Sequence, residues 1–246
     1  MISGQLPVLV RKGASMYPYC TAIIMAGGTG TRMGGEISKQ FLCINGKEIL
    51  AYTIDVFEQC EKIQEIIVVS GQRDMEQTKA LVQKYGFQKI SQLVAGGEER
   101  QDSVANGLSK VSQQTEIVLV QDGVRPFVTV DMIERSIQGA REYGACIMGM
   151  PVKDTIKICS PCGMAVETPD RRSLWQIQTP QTFQKEILLQ SYKKAKIAGF
   201  LGTDDASVAE FAGYPVKVAE GSYRNIKITT TEDLSIAKVL QEGGKT

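Results

Sequence analysis

Apolar positions along the chain fall into two alternating patterns. Thr21–Ala26 (TAIIMA), Glu65–Ser70 (EIIVVS), Glu116–Val120 (EIVLV, ending at Gln121-Asp122) and Ala145–Pro151 are short, nearly unbroken apolar runs. Each predicts a buried strand. Between them apolar residues recur at helical spacing. Such stretches are Glu48–Cys60 (through Ile49, Leu50, Thr53, Ile54 and Phe57), Met75–Tyr85, Ser103–Ser112 with Ser103 or Asp102 near its start, and Asp131–Tyr143. Further on, Gln184–Ala198 and Asp204–Ala212 read as helices. Val216–Ala219 reads as a last strand leading to Asn225–Thr229, and Thr231–Leu240 as a closing helix. Strands alternating with helices in this way predict an α/β fold, a doubly wound, mostly parallel Rossmann-like sheet. Lys153–Thr168 breaks the pattern: it is polar, with Pro161 and Gly163 in its middle, and predicts a protruding β-arm. The expected organisation is one domain over residues 20–242 with an arm at about 153–168, preceded by a poorly ordered extension at 1–19.

Composition narrows the chemistry. With 246 residues, 43% of them hydrophobic, the chain can bury a substantial core. Its 28 Lys and Arg against 27 Asp and Glu leave a net charge of +1, so no global field draws nucleic acid or an acidic membrane. Any bound anion has to be met by a local cluster of cations. Six cysteines (20, 43, 60, 146, 159 and 162) are scattered rather than arranged as a disulfide framework, which suggests reduced thiols and a cytoplasmic location. No apolar run approaches the roughly 20 residues of a membrane span. Leu6–Val10 is followed, not preceded, by Arg11 and Lys12, the wrong order for a secretory signal. Histidine is absent. That excludes Ser–His and Cys–His nucleophile systems, histidine bases and most zinc enzymes, leaving carboxylates, Lys, Arg, hydroxyls, backbone amides and hard metal ions.

One loop carries most of the chemical information. The run from Ala26 to Gly35 (AGGTGTRMGG), followed by Ser38-Lys39-Gln40, puts five glycines, Arg32 and Lys39 straight after the first strand. Glycines let backbone amides approach phosphate oxygens, and Arg32 and Lys39 supply charge-assisted donors. A P-loop would need Gly-Lys-Ser/Thr, but Lys39 follows Ser38, and Gly46-Lys47 precedes Glu48. A dinucleotide fingerprint counted from Gly28 and Gly30 would need a small residue where Met33 stands. Both of these readings fail; a polyphosphate site and a plain flexible surface turn remain, and a bare turn gives no reason for the basic residues beside it.

This loop resembles the signature of the sugar-nucleotide pyrophosphorylase-like nucleotidyltransferases. Further segments resemble one branch, the 2-C-methyl-D-erythritol 4-phosphate cytidylyltransferases of non-mevalonate isoprenoid biosynthesis. They are Gly96–Ser103 (GGEERQDS), Gln121–Pro126 (QDGVRP), Pro151–Lys157, Asp170-Arg171 with Leu174-Trp175, Gln178–Gln181 (QTPQ), Thr203–Ser207 (TDDAS) and Asn225–Thr229 (NIKIT). The resemblance implies that Ala26, Gly27, Gly28, Thr29 and Gly30 cradle the nucleotide, with Arg32, Lys39 and Lys227 as catalytic cations. It implies that Gly97, Glu98, Arg100 and Ser103 recognise cytosine and ribose. Asp122 would bind both nucleotide and metal, and Arg125, Thr155, Arg171, Thr179 and Thr203 would hold the acceptor. Two departures stand out: Glu98 replaces the usual aspartate, and Gln121 and Gly123 flank Asp122 in place of histidine and alanine. The resemblance further implies Mg2+ or another hard divalent cation, CTP and a polyol phosphate as substrates, and a homodimer in which the arm reaches the other subunit.

The implied reaction is transfer of CMP from CTP to 2-C-methyl-D-erythritol 4-phosphate. Its acceptor is already an anion, so no general base is needed, in keeping with a chain without histidine. Two alternatives are the same chemistry on ribitol 5-phosphate and a non-catalytic nucleotide sensor. Asp170-Arg171, Leu174-Trp175 and Thr203–Ser207 favour the erythritol acceptor. Retention of Arg32, Lys39, Asp122 and Lys227 together speaks against a sensor. Cys159-Ser-Pro-Cys162 has the spacing of a redox or zinc pair, but no second pair or histidine completes a zinc set.

Overall fold

The computed structural model describes residues 18–27 and 38–243. Of the expected extension at 1–19, residues 1–17 lie outside them, as do Gly28, Thr29, Gly30 and Arg32. Strand β1 (Cys20–Ala26) leads to a small hairpin, β2 (Cys43–Ile44) and β3 (Lys47–Glu48), and to helix α1 (Ile49–Gln59). Then follow β4 (Glu65–Ser70), α2 (Met75–Tyr85), β5 (Ile90–Ala95), α3 (Arg100–Leu108), β6 (Ile117–Asp122), α4 (Val130–Tyr143) and β7 (Ala145–Pro151). The arm is a hairpin of β8 (Ile158–Cys159) and β9 (Ala165–Glu167). The chain closes with β10 (Trp175–Gln184), α5 (Lys185–Ala198), α6 (Asp205–Phe211), β11 (Lys217–Glu220) and α7 (Thr231–Glu242).

Seven strands form one sheet in the order β11-β7-β10-β6-β1-β4-β5, parallel except for β10, which runs antiparallel to both neighbours. The expected doubly wound α/β sheet is therefore present. Its core strands read as unbroken apolar runs because both faces are covered. Ala22, Ile24, Ile66, Val68, Ile117 and Leu119 pack with α1, α2 and α4, while Ile23, Ile67, Val69, Val118 and Val120 pack with α3, α5 and α6. Successive residues thus alternate between two cores. A third, smaller cluster of Ile44, Ile49, Val124, Ile228 and Ala237 ties the hairpin and α7 to the end of the sheet.

Three elements depart from the hydrophobic pattern. Strand β5 is an edge strand, only partly buried, and its ISQLVA sequence lacks a sustained apolar run. Helix α3 begins at Arg100, three residues ahead of the expected start, because Glu99 caps it in a reciprocal capping box with Asp102. Strand β10 is the largest omission. WQIQTPQTFQ looks too polar for a central strand and contains Pro180, but a register shift between Ile177 and Gln181 accommodates the proline. All six cysteines are free. No helix among the described residues is long and apolar enough to cross a membrane.

Candidate active site

Strands β1 and β6 are parallel and in register from Cys20↔Ile117 to Met25↔Asp122, so their carboxyl ends lie side by side. Ligands bind beyond such ends in doubly wound sheets. The Gly123 amide donates to Met25 O at 2.9 Å, and a Cβ at Gly123 would lie 2.8 Å from that oxygen. The turn after β6 therefore packs flush against β1 and fixes Asp122 beside Ala26 and Gly27.

Three cations converge on the buried Asp122 carboxylate. Lys227 Nζ lies 3.0 Å from Oδ2, Arg125 Nε 3.3 Å from the same oxygen, and Arg100 Nη2 4.0 Å from Oδ1. Burial pulls the Asp122 carboxyl upward, but Lys227, Arg125 and Arg100 outweigh it and hold it below the ordinary carboxylate range. Each cation comes from a different element. Arg125 is half of the β6 turn, and its Nη1 donates to Asn225 O at 2.8 Å. Lys227 lies in the segment before α7, where the neighbouring Ile228 is fully buried and its amide donates to Val124 O at 2.9 Å. From β10, Thr179 Oγ1 accepts the Asp122 amide at 3.1 Å. Asn225 Nδ2 donates to Thr179 O at 3.0 Å, joining β10 to the Lys227 segment.

Arg100 opens α3 and bridges two carboxylates, with its stronger contact to the fully buried Asp205, Nη2 to Oδ2 at 2.7 Å. Burial lowers the affinity of the Arg100 guanidinium for its proton, but Asp205 and Asp122 reverse that and raise it. Nearby, Ser103 Oγ accepts the Gly97 amide at 2.9 Å and donates to Glu99 O at 3.0 Å. A Cβ at Gly97 would fall 2.4 Å from Asp102 Cβ, so the loop can lie over the start of α3 only without a side chain there. This leaves exposed backbone at Gly97 and Glu98 beside the guanidinium.

The far end of the glycine loop is fastened by residues that the sequence did not single out as functional. Ser38 Oγ donates to the buried Asp74 carboxylate (2.8 and 2.9 Å), and Gln40 Nε2 donates to Asp74 Oδ2 at 3.0 Å and to Ala26 O at 2.8 Å. Lys39 sits between these two anchored residues. Asp74, Asp205 and Asn225 are thus the polar hubs of the site. Asp74 lies in a polar QRDME stretch that carries no signal, whereas Asp205 and Asn225 fall inside two of the segments that carry the resemblance, TDDAS and NIKIT.

The remaining expected site residues are more dispersed. Thr203 is exposed two positions before Asp205. Thr155 and Arg171 lie exposed on the arm and its base, where Arg171 Nη1 donates to Lys153 O at 2.8 Å. Among the described residues no hydrogen bond or ion pair joins Thr155 or Arg171 to the Asp122 cluster. Gln121 is fully buried; its Nε2 donates to Asp122 O at 3.1 Å, while its Oε1 has no partner.

The arrangement suits polyphosphate chemistry: backbone-exposing glycines, fixed cations and one carboxylate at adjoining strand ends. Comparison with known proteins agrees. The profile of the family described as "IspD: 2-C-methyl-D-erythritol 4-phosphate cytidylyltransferase" matches residues 20–242. A 2-C-methyl-D-erythritol 4-phosphate cytidylyltransferase of Alkaliphilus oremlandii is 49% identical over 219 residues, 89% of this chain and 93% of that protein. One from Caldanaerobacter subterraneus is 46% identical over 220 residues, 89% and 97% of the two chains. A crystal structure of 4-diphosphocytidyl-2C-methyl-D-erythritol synthase from Anaerococcus prevotii superposes with a TM-score of 0.81 at 35% identity, covering 92% of this chain and 96% of the other. With its fold, its strand-end cation cluster and this extent of match, the chain belongs to the 2-C-methyl-D-erythritol 4-phosphate cytidylyltransferase family.

Proposed function

We propose that the chain transfers CMP from CTP to 2-C-methyl-D-erythritol 4-phosphate, releasing pyrophosphate and forming 4-diphosphocytidyl-2-C-methyl-D-erythritol. The observation that carries this reading is the convergence of Lys227, Arg125 and Arg100 on Asp122 beside the glycine loop in a member of this family. A phosphate oxygen of the acceptor attacks the α-phosphorus of CTP in line. The Pα–O bond to the β-phosphate breaks, and pyrophosphate leaves with the electron pair. The nucleophile is already deprotonated, so the chain has only to position the reactants and balance charge.

The roles we assign are those that the family resemblance implies. Ala26, Gly27, Gly28, Thr29 and Gly30 present amides to the triphosphate, and Arg32, Lys39 and Lys227 stabilise the charge moving onto the leaving group. Gly97, Glu98, Arg100 and Ser103 read the base and ribose. Arg125, Thr179 and Thr203 line the acceptor end near Asp122, with Thr155 and Arg171 brought to it by the arm. The donor set fits a hard divalent cation such as Mg2+. Asp122 offers a carboxylate that, with phosphate oxygens, meets its usual preference, and no cage of three or more Asp, Glu or Cys forms among the described residues. When bound, the cation neutralises phosphate charge and holds the phosphates in place. A homodimer accords with the arm, whose hairpin exposes Ile158, Met164 and Val166 with little of its own to pack them on. Work in the cytoplasm accords with six free thiols.

The test is pyrophosphate release from CTP with each of two acceptors. Release with 2-C-methyl-D-erythritol 4-phosphate in clear preference to ribitol 5-phosphate is expected. Preference for ribitol phosphate, or CTP binding without turnover on either, would sink the assignment.

A further inference from the structure

Behind Arg100 lies a chain of contacts anchored on buried side chains. Asp205 is fully buried in the first turn of α6, and both its oxygens are engaged: Oδ1 accepts Tyr192 Oη–H at 2.5 Å and Oδ2 accepts Arg100 Nη2 at 2.7 Å. The backbone beneath it is also fixed. Asp204 Oδ1 accepts the Ser207 amide at 2.8 Å, closing the cap of α6. Gln181 of β10 then holds Asp204 Oδ2 at 2.7 Å and the Ala206 amide at 3.0 Å. Tyr192, on α5, is itself buried. The carboxylate is therefore held from both oxygens, and the guanidinium paired with it reaches to 4.0 Å from Asp122 Oδ1.

We propose that Asp205, oriented by Tyr192, is a positioning residue for the nucleotide: it aims the Arg100 guanidinium across the strand ends into the CTP site. This rests on the cytidylyltransferase reading above. The alternative is that Asp205 merely offsets charge, and the two make opposite predictions. Arg100, Arg125 and Lys227 face Asp122 and Asp205, three cations against two carboxylates. Replacing Asp205 by asparagine makes the cluster more positive. If charge alone mattered, a triphosphate would then bind more tightly. If aim matters, binding weakens despite the added positive charge, because Arg100 loses the partner that orients it.

The experiment measures kcat and KM for CTP by pyrophosphate release, with thermal midpoints, in the wild type and four variants: Asp205→Asn, Tyr192→Phe, Arg100→Ala and the Arg100→Ala/Asp205→Asn double variant. Asp205→Asn is expected to raise KM for CTP and lower kcat/KM about tenfold to a hundredfold, the range for a lost charge-assisted hydrogen bond. Tyr192→Phe should shift KM the same way by less. In the Arg100→Ala background, Asp205→Asn should cost nothing further, since its effect runs through the missing guanidinium. An unchanged or lowered KM in folded Asp205→Asn would overturn the proposal, as would an equal loss in the Arg100→Ala background. If Asp205→Asn does not fold, an unchanged KM in folded Tyr192→Phe overturns it instead. A wild type that releases no pyrophosphate from CTP removes the underlying reading and the proposal with it. An active wild type with any of the other results removes the proposal alone.

Discussion

Lys227 and Asp122 share an ion pair but not an environment: the lysine side chain is 41% exposed and the aspartate 10%. A half-exposed ammonium can turn from Asp122 to an incoming phosphate at small cost, whereas the carboxylate cannot leave its place. Removing one preorganised donor typically costs about 10²–10³-fold in turnover, so Lys39→Ala and Lys227→Ala should each lower kcat by at least that order. Near-normal turnover in either purified variant would refute its assignment. Asp122 makes a different prediction, on stability. Its carboxyl is held below its ordinary value of 3.8, so the folded chain gives up the proton more readily than the unfolded one. The stabilisation is complete above 3.8 and is lost as pH falls through the lower folded value. Asp122→Asn should melt below the wild type at neutral pH, and the gap should close on acidification past that point. Melting curves that keep a constant separation would contradict the ion-pair account.

At the scale of elements, α3 shows how packing carries a functional residue to its place. Gly107 lies where the helix meets the sheet, and a Cβ there would fall 2.7 Å from Ile23 Cγ2 and 2.9 Å from Val69 Cγ2. Both neighbours are buried β-branched side chains with little freedom to rotate. Gly107→Ala should therefore destabilise the fold by about 1–3 kcal/mol, even though alanine favours helix; denaturant titration with no loss, or a gain, would show that α3 is not tightly seated. How far the sequence revealed these elements depended on the physical signal each one carries. β1, β4, β6 and β7 announce themselves because two-sided burial demands continuous apolar runs. β10 hides because its middle does polar work: Gln178, Thr179 and Gln181 are buried to hold Asn225, Asp122 and α6. Asp122 could be found as a carboxylate at a strand end, whereas Lys227 was reachable only through the resemblance of Asn225–Thr229. Asp205, Asp74 and Asn225 could not be separated from ordinary caps and turns, since their importance lies in contacts across 36 to 105 residues of sequence.

For the whole molecule, the arm is the part that the proposed homodimer would complete. Its side chains stand largely in solvent, Met164 and Val166 each 69% exposed, although residues of this kind are normally found inside. From the proposed homodimer a solution mass of twice 26.9 kDa is expected, and deleting 156–168 should give a monomer and weaken acceptor binding. A fully active monomer would contradict this. The trio of cations also has a consequence beyond catalysis. The chain carries a net charge of only +1, so it has no strong global field and its attraction for anions has to come from local cation clusters such as this one. With a screening length of about 10 Å at 0.1 M, added ions would slow the approach of CTP from afar and weaken far less the contacts proposed for the half-buried guanidinium and ammonium.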